Sequence, residues 1–182
     1  VTFHPVTLER KTAEMQCKAM LQALEYESKE MKVIFTKANA DSEGRIINNI
    51  IEKYVSEHNN SVLFDSLGQT LYLSALKYAA FVLGNSSSGL SEAPSFHIPT
   101  INIGDRQKGR IRADTVIDCC EDTKSILEAI KKAKTPEFKE ICRQAKNPYE
   151  RENTADTIIE LIKNQILNGK IDIKKKFYDI EL

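Results

Sequence analysis

Two kinds of pattern take turns along this chain. Short continuous apolar runs occupy residues 31–36, 61–64, 79–83 and 99–103, with a shorter one at 115–117. Runs of that length bounded by polar turns read as buried strands. Between them lie longer stretches in which apolar residues return every three or four positions, the period of a helix with one buried face. The first is 8–26, with Met15, Ala19, Leu21, Ala23 and Leu24 supplying much of the face; the second carries Ile46, Ile47, Ile50, Ile51, Tyr54 and Val55. Further helices are predicted over 69–78, 124–132, 137–144 and 155–167. At the start, His4-Pro5-Val6-Thr7 reads as the close of a first strand, because proline holds the residue before it extended. Strands alternating with helices predict an α/β fold: a doubly wound parallel sheet with right-handed crossovers. The polar stretch from Gly169 onward is assigned to no element.

The segment 79–112 organises the chemistry. Its first apolar run ends at Gly84 and Asn85, and Ser86, Ser87 and Ser88 follow before Gly89. Serines capping a helix start would gather free N–H groups and a favourable dipole, both suited to an anion. The second run, 99–103, gives way at Gly104 to Asp105-Arg106-Gln107-Lys108-Gly109-Arg110. A polar turn explains three serines as well as an anion site does; Arg106 on the neighbouring loop tips the reading toward a phosphorylated ligand at the carboxyl ends of parallel strands. Neither the P-loop element Gly-Lys-Ser/Thr nor GxGxxG is present.

Composition narrows the partners. The 182 residues suit one domain, residues 1–182, and 26 basic residues balance 26 acidic ones, so no global field points to nucleic acid. The cluster Lys170, Lys174, Lys175 and Lys176 reads as a solvated tail. Cys17, Cys119, Cys120 and Cys142 form no C-x-x-C pair, which predicts buried free thiols in a reducing cytoplasm rather than a metal clamp. No apolar run approaches the ~18 residues of a membrane span, and the sequence shows no signal peptide. With no initial Met and Val1 to Pro5 resembling a strand under way, the chain reads as the second half of something larger.

Five stretches together carry a family resemblance: His4-Pro5-Val6-Thr7, Phe35-Thr36-Lys37-Ala38-Asn39-Ala40-Asp41, Gly84-Asn85-Ser86-Ser87-Ser88-Gly89, Glu92-Ala93-Pro94-Ser95, and the segment from Asn102 to Arg110. The chain resembles the C-terminal half of hydrolysing UDP-N-acetylglucosamine 2-epimerases of the sialic-acid-type branch. The resemblance implies the Rossmann-like C-terminal domain of a GT-B architecture, binding UDP, with the catalytic carboxylates on an N-terminal half absent here. It implies elimination of UDP from a UDP-sugar, hydration of the resulting 2-acetamidoglucal, no metal or redox cofactor, and a homo-oligomer for the full-length protein. A close relative of that reaction takes UDP-N,N'-diacetylbacillosamine. A retaining GT-B glycosyltransferase is the rival class, but its paired-glutamate signature fails: seven residues before and after Glu92 stand Asn85 and Pro99. A UDP-binding module without catalysis is the third reading.

By this resemblance Ser86, Ser87 and Arg106 meet the diphosphate, Glu92 accepts hydrogen bonds from ribose hydroxyls, and His4 is the catalytic-side donor to the departing diphosphate or the holder of a carboxylate. Lys37, Asn39 and Asp41 follow the second strand and face the nucleotide or form a polar turn. Phe64 and Asp65 end the third strand, where Phe64 stacks on the uracil or belongs to the core. Lys108 and Arg110 fit a solvated loop equally well. His97 and His58 are read as structural. After Asn147-Pro148-Tyr149 the family continues with glycines, whereas Glu150, Arg151 and Glu152 stand here.

Overall fold

The computed structural model of this chain describes residues 1–6, 12–27, 31–39 and 43–169. It divides into two compact units, Val1–Pro148 and Tyr149–Leu182. Among its described residues the first holds five strands and six α-helices, largely in alternation: α1 (Ala13–Glu27), β1 (Val33–Thr36), α2 (Gly44–Glu57), β2 (Ser61–Phe64), α3 (Gly68–Tyr78), β3 (Val82–Gly84), α4 (Ser88–Ser91), a 3₁₀ turn (Ala93–Phe96), β4 (Thr100–Ile103), β5 (Val116–Cys119), α5 (Thr123–Lys134) and α6 (Pro136–Gln144). In the second unit α7 (Thr154–Leu167) is the described element. No helix among the described residues is long and apolar enough to cross a membrane.

Among the described residues all strand pairs are parallel. β1 pairs with β2, and β4 pairs with both β3 and β5. Thr2 joins the two groups, bridging in parallel to Thr36 on one side and Gly84 on the other. The spatial order is therefore β2, β1, the Thr2 segment, β3, β4, β5, which is the doubly wound order with its reversal beside Thr2. β4 is buried at all four positions, as expected of a parallel strand covered on both faces. Phe3, Phe35, Leu83, Ile101 and Ile103 from the strands pack with Met20, Leu24, Ile47, Ile51, Ile126 and Ile130 from α1, α2 and α5 in one core.

The alternation of elements and its parallel sheet follow the sequence reading, with local departures. The first strand is reduced to a bridge at Thr2, not a ladder reaching His4. The run 79–83 enters its strand late, at Val82, because Ala79 is spent as the C-cap of α3. Met15 and Ile46, which the periodicity places on buried faces, are 66% and 42% exposed; the buried stripe of α1 keeps the predicted Leu21, Ala23 and Leu24 and adds Ala13, Gln16, Cys17 and Met20. Cys17 and Cys142 are buried free thiols as expected, but Cys120 is exposed. Burial pushes the Cys17 thiol up to about 12, so it stays protonated and inert. Residues 7–11, Asp41, Ser42 and the lysine cluster at 170–176 lie outside the described residues.

The helix α5 is started by Asp122, whose carboxylate accepts from the Ser125 N–H at 2.9 Å. Asp122→Ala should remove that cap and cost about 1 kcal/mol, read as a lowered urea midpoint with an unchanged slope.

Candidate functional site

Parallel strands aim their carboxyl ends at one edge of the sheet, and the segments leaving that edge carry the chemistry-bearing residues. His4 follows the Thr2 segment, Lys37 and Asn39 follow β1, Phe64 and Asp65 end β2, Ser86 and Ser87 follow β3, and Arg106 follows β4. The crevice of a doubly wound sheet opens where strand order reverses, here between the Thr2 segment and β3.

Contacts across that point converge on Asn85, which is 1% exposed. Its side-chain oxygen accepts the His4 N–H at 2.7 Å and its amide nitrogen donates to the His4 carbonyl at 2.8 Å. Its own carbonyl accepts from the Arg106 guanidinium at 3.1 Å and from Gln107 Nε2 at 2.8 Å. The Arg106 side chain thus reaches the residue immediately before Ser86, and the serine turn and the arginine loop stand side by side. Arg106 is half-buried and has no carboxylate within ion-pair distance among the described residues. Arg112, by contrast, is spent on Asp118 at 2.9 Å and on the carbonyls of Arg110 and Gln107, which fastens the arginine loop from below.

The serine turn is tighter than the sequence suggests. The helix that the serines open, α4, is a single turn, and Glu92 is its C-cap and the residue before the 3₁₀ turn. The proline at position 94 cannot extend an α-helix from its N-terminal side without losing an N–H, which explains the change of helix type. Glu92 remains exposed. Ser86 Oγ accepts weakly from the Ser88 N–H at 3.4 Å, Ser88 is taken by the Tyr72 hydroxyl, and the Ser87 hydroxyl has no hydrogen-bond partner among the described residues. Gly89 is required by packing: an added Cβ would meet Thr100 Cγ2 at 2.7 Å. The Thr100 hydroxyl already donates to the Gly89 carbonyl at 2.9 Å.

Lys37 sits between two carboxylates, Asp65 at 2.6 Å and Glu52 at 3.1 Å, and the Asp65 hydrogen bond, then that to Glu52, holds its pKa above the ordinary lysine value. In this arrangement both Lys37 and Asp65 are engaged with each other. Phe64 is 43% exposed at the end of β2. The His4 ring accepts the Asn39 N–H on Nδ1 at 3.1 Å, so in neutral His4 the proton lies on Nε2. His58 stacks on Tyr54 and bonds its carbonyl, and His97, in left-handed conformation at φ 54, meets the Cys142 carbonyl. Both are structural.

Sequence reading assigned no role to Asn85, Gln107 or Asn147. Asn147 donates to the Ser91 carbonyl at 2.8 Å and to Ser95 Oγ at 2.7 Å, pinning the segment that carries Glu92. The signal for Asn85 was its place between the glycine and serines of one motif. A cavity of about 470 Å³ lies under α3, lined by Val33, Ile34, Tyr72, Leu76, Phe81 and Val82. Its lining is mainly apolar, so it does not suit a diphosphate.

A family model described as UDP-N-acetylglucosamine 2-epimerase matches residues 1–163. A GDP/UDP-N,N'-diacetylbacillosamine 2-epimerase (hydrolyzing) of Campylobacter jejuni is 44% identical over 141 residues, 77% of this chain and 36% of that protein. The polysialic acid biosynthesis protein P7 of Escherichia coli is 36% identical over 99% of this chain and 46% of that protein. Among solved structures, the S. aureus MnaA–UDP co-structure shares the fold with a TM-score of 0.70 at 19% identity, over 99% of this chain and 48% of that chain. The chain spans less than half the length of each of these relatives. With the motifs, the doubly wound sheet and this match in agreement, the chain belongs to the UDP-N-acetylglucosamine 2-epimerase family.

Proposed function

We propose that this chain is the UDP-binding, C-terminal half of a hydrolysing UDP-N-acetylglucosamine 2-epimerase of sialic-acid-type sugar biosynthesis. The observation that carries the reading is Arg106: a half-buried guanidinium that, among the described residues, has no carboxylate partner, beside a turn whose Ser87 hydroxyl has no partner among them either. A guanidinium fork suits phosphate oxygens, and a partly desolvated one favours an anion.

In this reading Arg106, Ser86 and Ser87 bind the diphosphate of UDP, Glu92 accepts from the ribose diol, and Phe64 covers the uracil beside Lys37, Asn39 and Asp65. The diphosphate must take up charge as the C1–O bond breaks, and donors already aimed at it lower that barrier. His4 supplies a further N–H from the neighbouring strand end. Loss of UDP with the C2 proton leaves 2-acetamidoglucal, and addition of water across that double bond gives N-acetylmannosamine. The groups that move the C2 proton belong to the other half of the enzyme, so the purified 182 residues should bind UDP and turn nothing over. Turnover by this chain alone would refute the placement of the catalytic groups. The same reading carries a cytoplasmic, homo-oligomeric complete enzyme.

Crystals soaked with UDP test the site directly. Density for the diphosphate is expected between Ser87 and Arg106; density elsewhere on the molecule would overturn the assignment. The 44% identity to the Campylobacter protein favours a second substrate, UDP-N,N'-diacetylbacillosamine, which differs from UDP-N-acetylglucosamine at C4 and C6 of the sugar. A polypeptide joining this chain to an N-terminal half, assayed on both nucleotide-sugars, separates the two substrates by which one releases UDP.

A further inference from the structure

We infer that Asn85 is a positioning residue that makes His4 and the arginine loop respond to the nucleotide as one unit. The inference rests on the UDP-binding reading above and adds to it a coupling between two of its parts.

Asn85 continues the sheet after the backbone has left it. Up to Gly84, β3 pairs with the Thr2 segment through main-chain groups: the Thr2 N–H donates to the Leu83 carbonyl at 3.1 Å and the Asn85 N–H to the Thr2 carbonyl at 3.2 Å. One step further the backbone turns away into Ser86, and the Asn85 carboxamide takes over, meeting both the N–H and the carbonyl of His4. A carboxamide is the side chain that offers one donor and one acceptor with the spacing of a peptide group. Aspartate has the same shape and lacks the donor; alanine has neither group.

The other end of the same residue holds the phosphate side. Its carbonyl takes two donors, Arg106 and Gln107, and Gln107 is itself 2% exposed. Each buried polar group here would be costly to leave unpaired. A shift of Arg106 toward a diphosphate therefore changes the load on the Asn85 carbonyl. The rigid carboxamide passes that shift to the backbone of His4, whose ring is steadied at Nδ1 by the Asn39 N–H. His4 is thereby moved with the nucleotide it faces.

The chain has three histidines, so the ring resonances of His4 can be assigned by replacing His58 and His97 in turn. The experiment is a UDP titration of the purified chain, with calorimetry for affinity and ¹⁵N spectra of the histidine rings for the response. In the wild type, saturating UDP should displace the His4 ring signals and leave His58 in place. In Asn85→Ala the His4 displacement should fall at least threefold while UDP still binds, and Asn85→Asp, which keeps the acceptor to the His4 N–H, should retain an intermediate response. If Asn85→Ala does not fold, the loss is read from Asn85→Asp alone. A His4 response that is absent in the wild type, or equal in wild type and variants at UDP saturation, would overturn the coupling and leave the UDP site standing. Failure of the wild type to bind UDP at all would remove the functional reading, and the coupling with it.

Discussion

Replacing Ser87 and Arg106 together by alanine is expected to weaken UDP binding by about two to four powers of ten, measured by calorimetry on the purified chain. Hydrogen bonds to a charged group contribute about 1.5–3 kcal/mol each, and about 1.4 kcal/mol is tenfold in affinity. The two side chains are neighbours on one ligand, so their effects need not add; the range allows for that. Arg106 should carry the larger share because its guanidinium brings a formal charge to the diphosphate whereas the Ser87 hydroxyl is neutral. The control is Lys108→Ala on the same loop. Lys108 is exposed, and an exposed lysine near a phosphate is screened by water and salt, so its loss should cost under tenfold. Equal effects at the two sites would mean that general basicity, not the Arg106 geometry, holds the nucleotide. An unchanged isotherm in the double variant would take both residues out of the site.

That contrast marks what the sequence could reveal. Gly84-Asn85-Ser86-Ser87 and the loop at Arg106 were legible because strand, turn and strand follow each other within a short stretch, and parallel strands bring successive carboxyl ends to one edge. The alternation of elements was legible for the same reason: a run such as 99–103 is apolar throughout because β4 is covered on both faces. Ile46 and Met15 show where periodicity stops. An apolar residue at the border of a helical stripe is buried only if a neighbour reaches it, and which neighbour does is decided by contacts far along the chain. Gln16, a polar residue, holds an inward position while Met15 beside it faces out. Asn85 was hidden more deeply. Its partners are two residues near the start of the chain and two more than twenty positions downstream, and no local pattern in the sequence joins them. The pairing of Lys37 with Asp65 and Glu52 was invisible for the same reason, since those carboxylates arrive from different elements.

Among the described glycines, Gly84→Ala is expected to be the most damaging substitution, costing several kcal/mol and lowering the thermal midpoint by well over ten degrees or preventing folding. Its φ of 137 lies in the region that only glycine enters freely, and a Cβ would stand 1.9 Å from the Thr2 carbonyl oxygen. Those two atoms cannot coexist, and the obstacle is backbone rather than a flexible side-chain tip, so the sheet itself must part where β3 meets the Thr2 segment. Gly109→Ala supplies the control. It also has positive φ, 82, but nothing lies within 4 Å of the added atom. Its cost should stay near the ~1–2 kcal/mol of a left-handed L-residue. The difference between the two, measured by urea denaturation, isolates the steric part. Should the two glycines cost the same, the close approach of Thr2 to β3 would be wrong. That approach is also what brings His4 within reach of the Asn85 carboxamide, so a partly folded Gly84→Ala chain should lose UDP affinity along with its stability, whereas Gly109→Ala, with no atom in the way, should keep most of it.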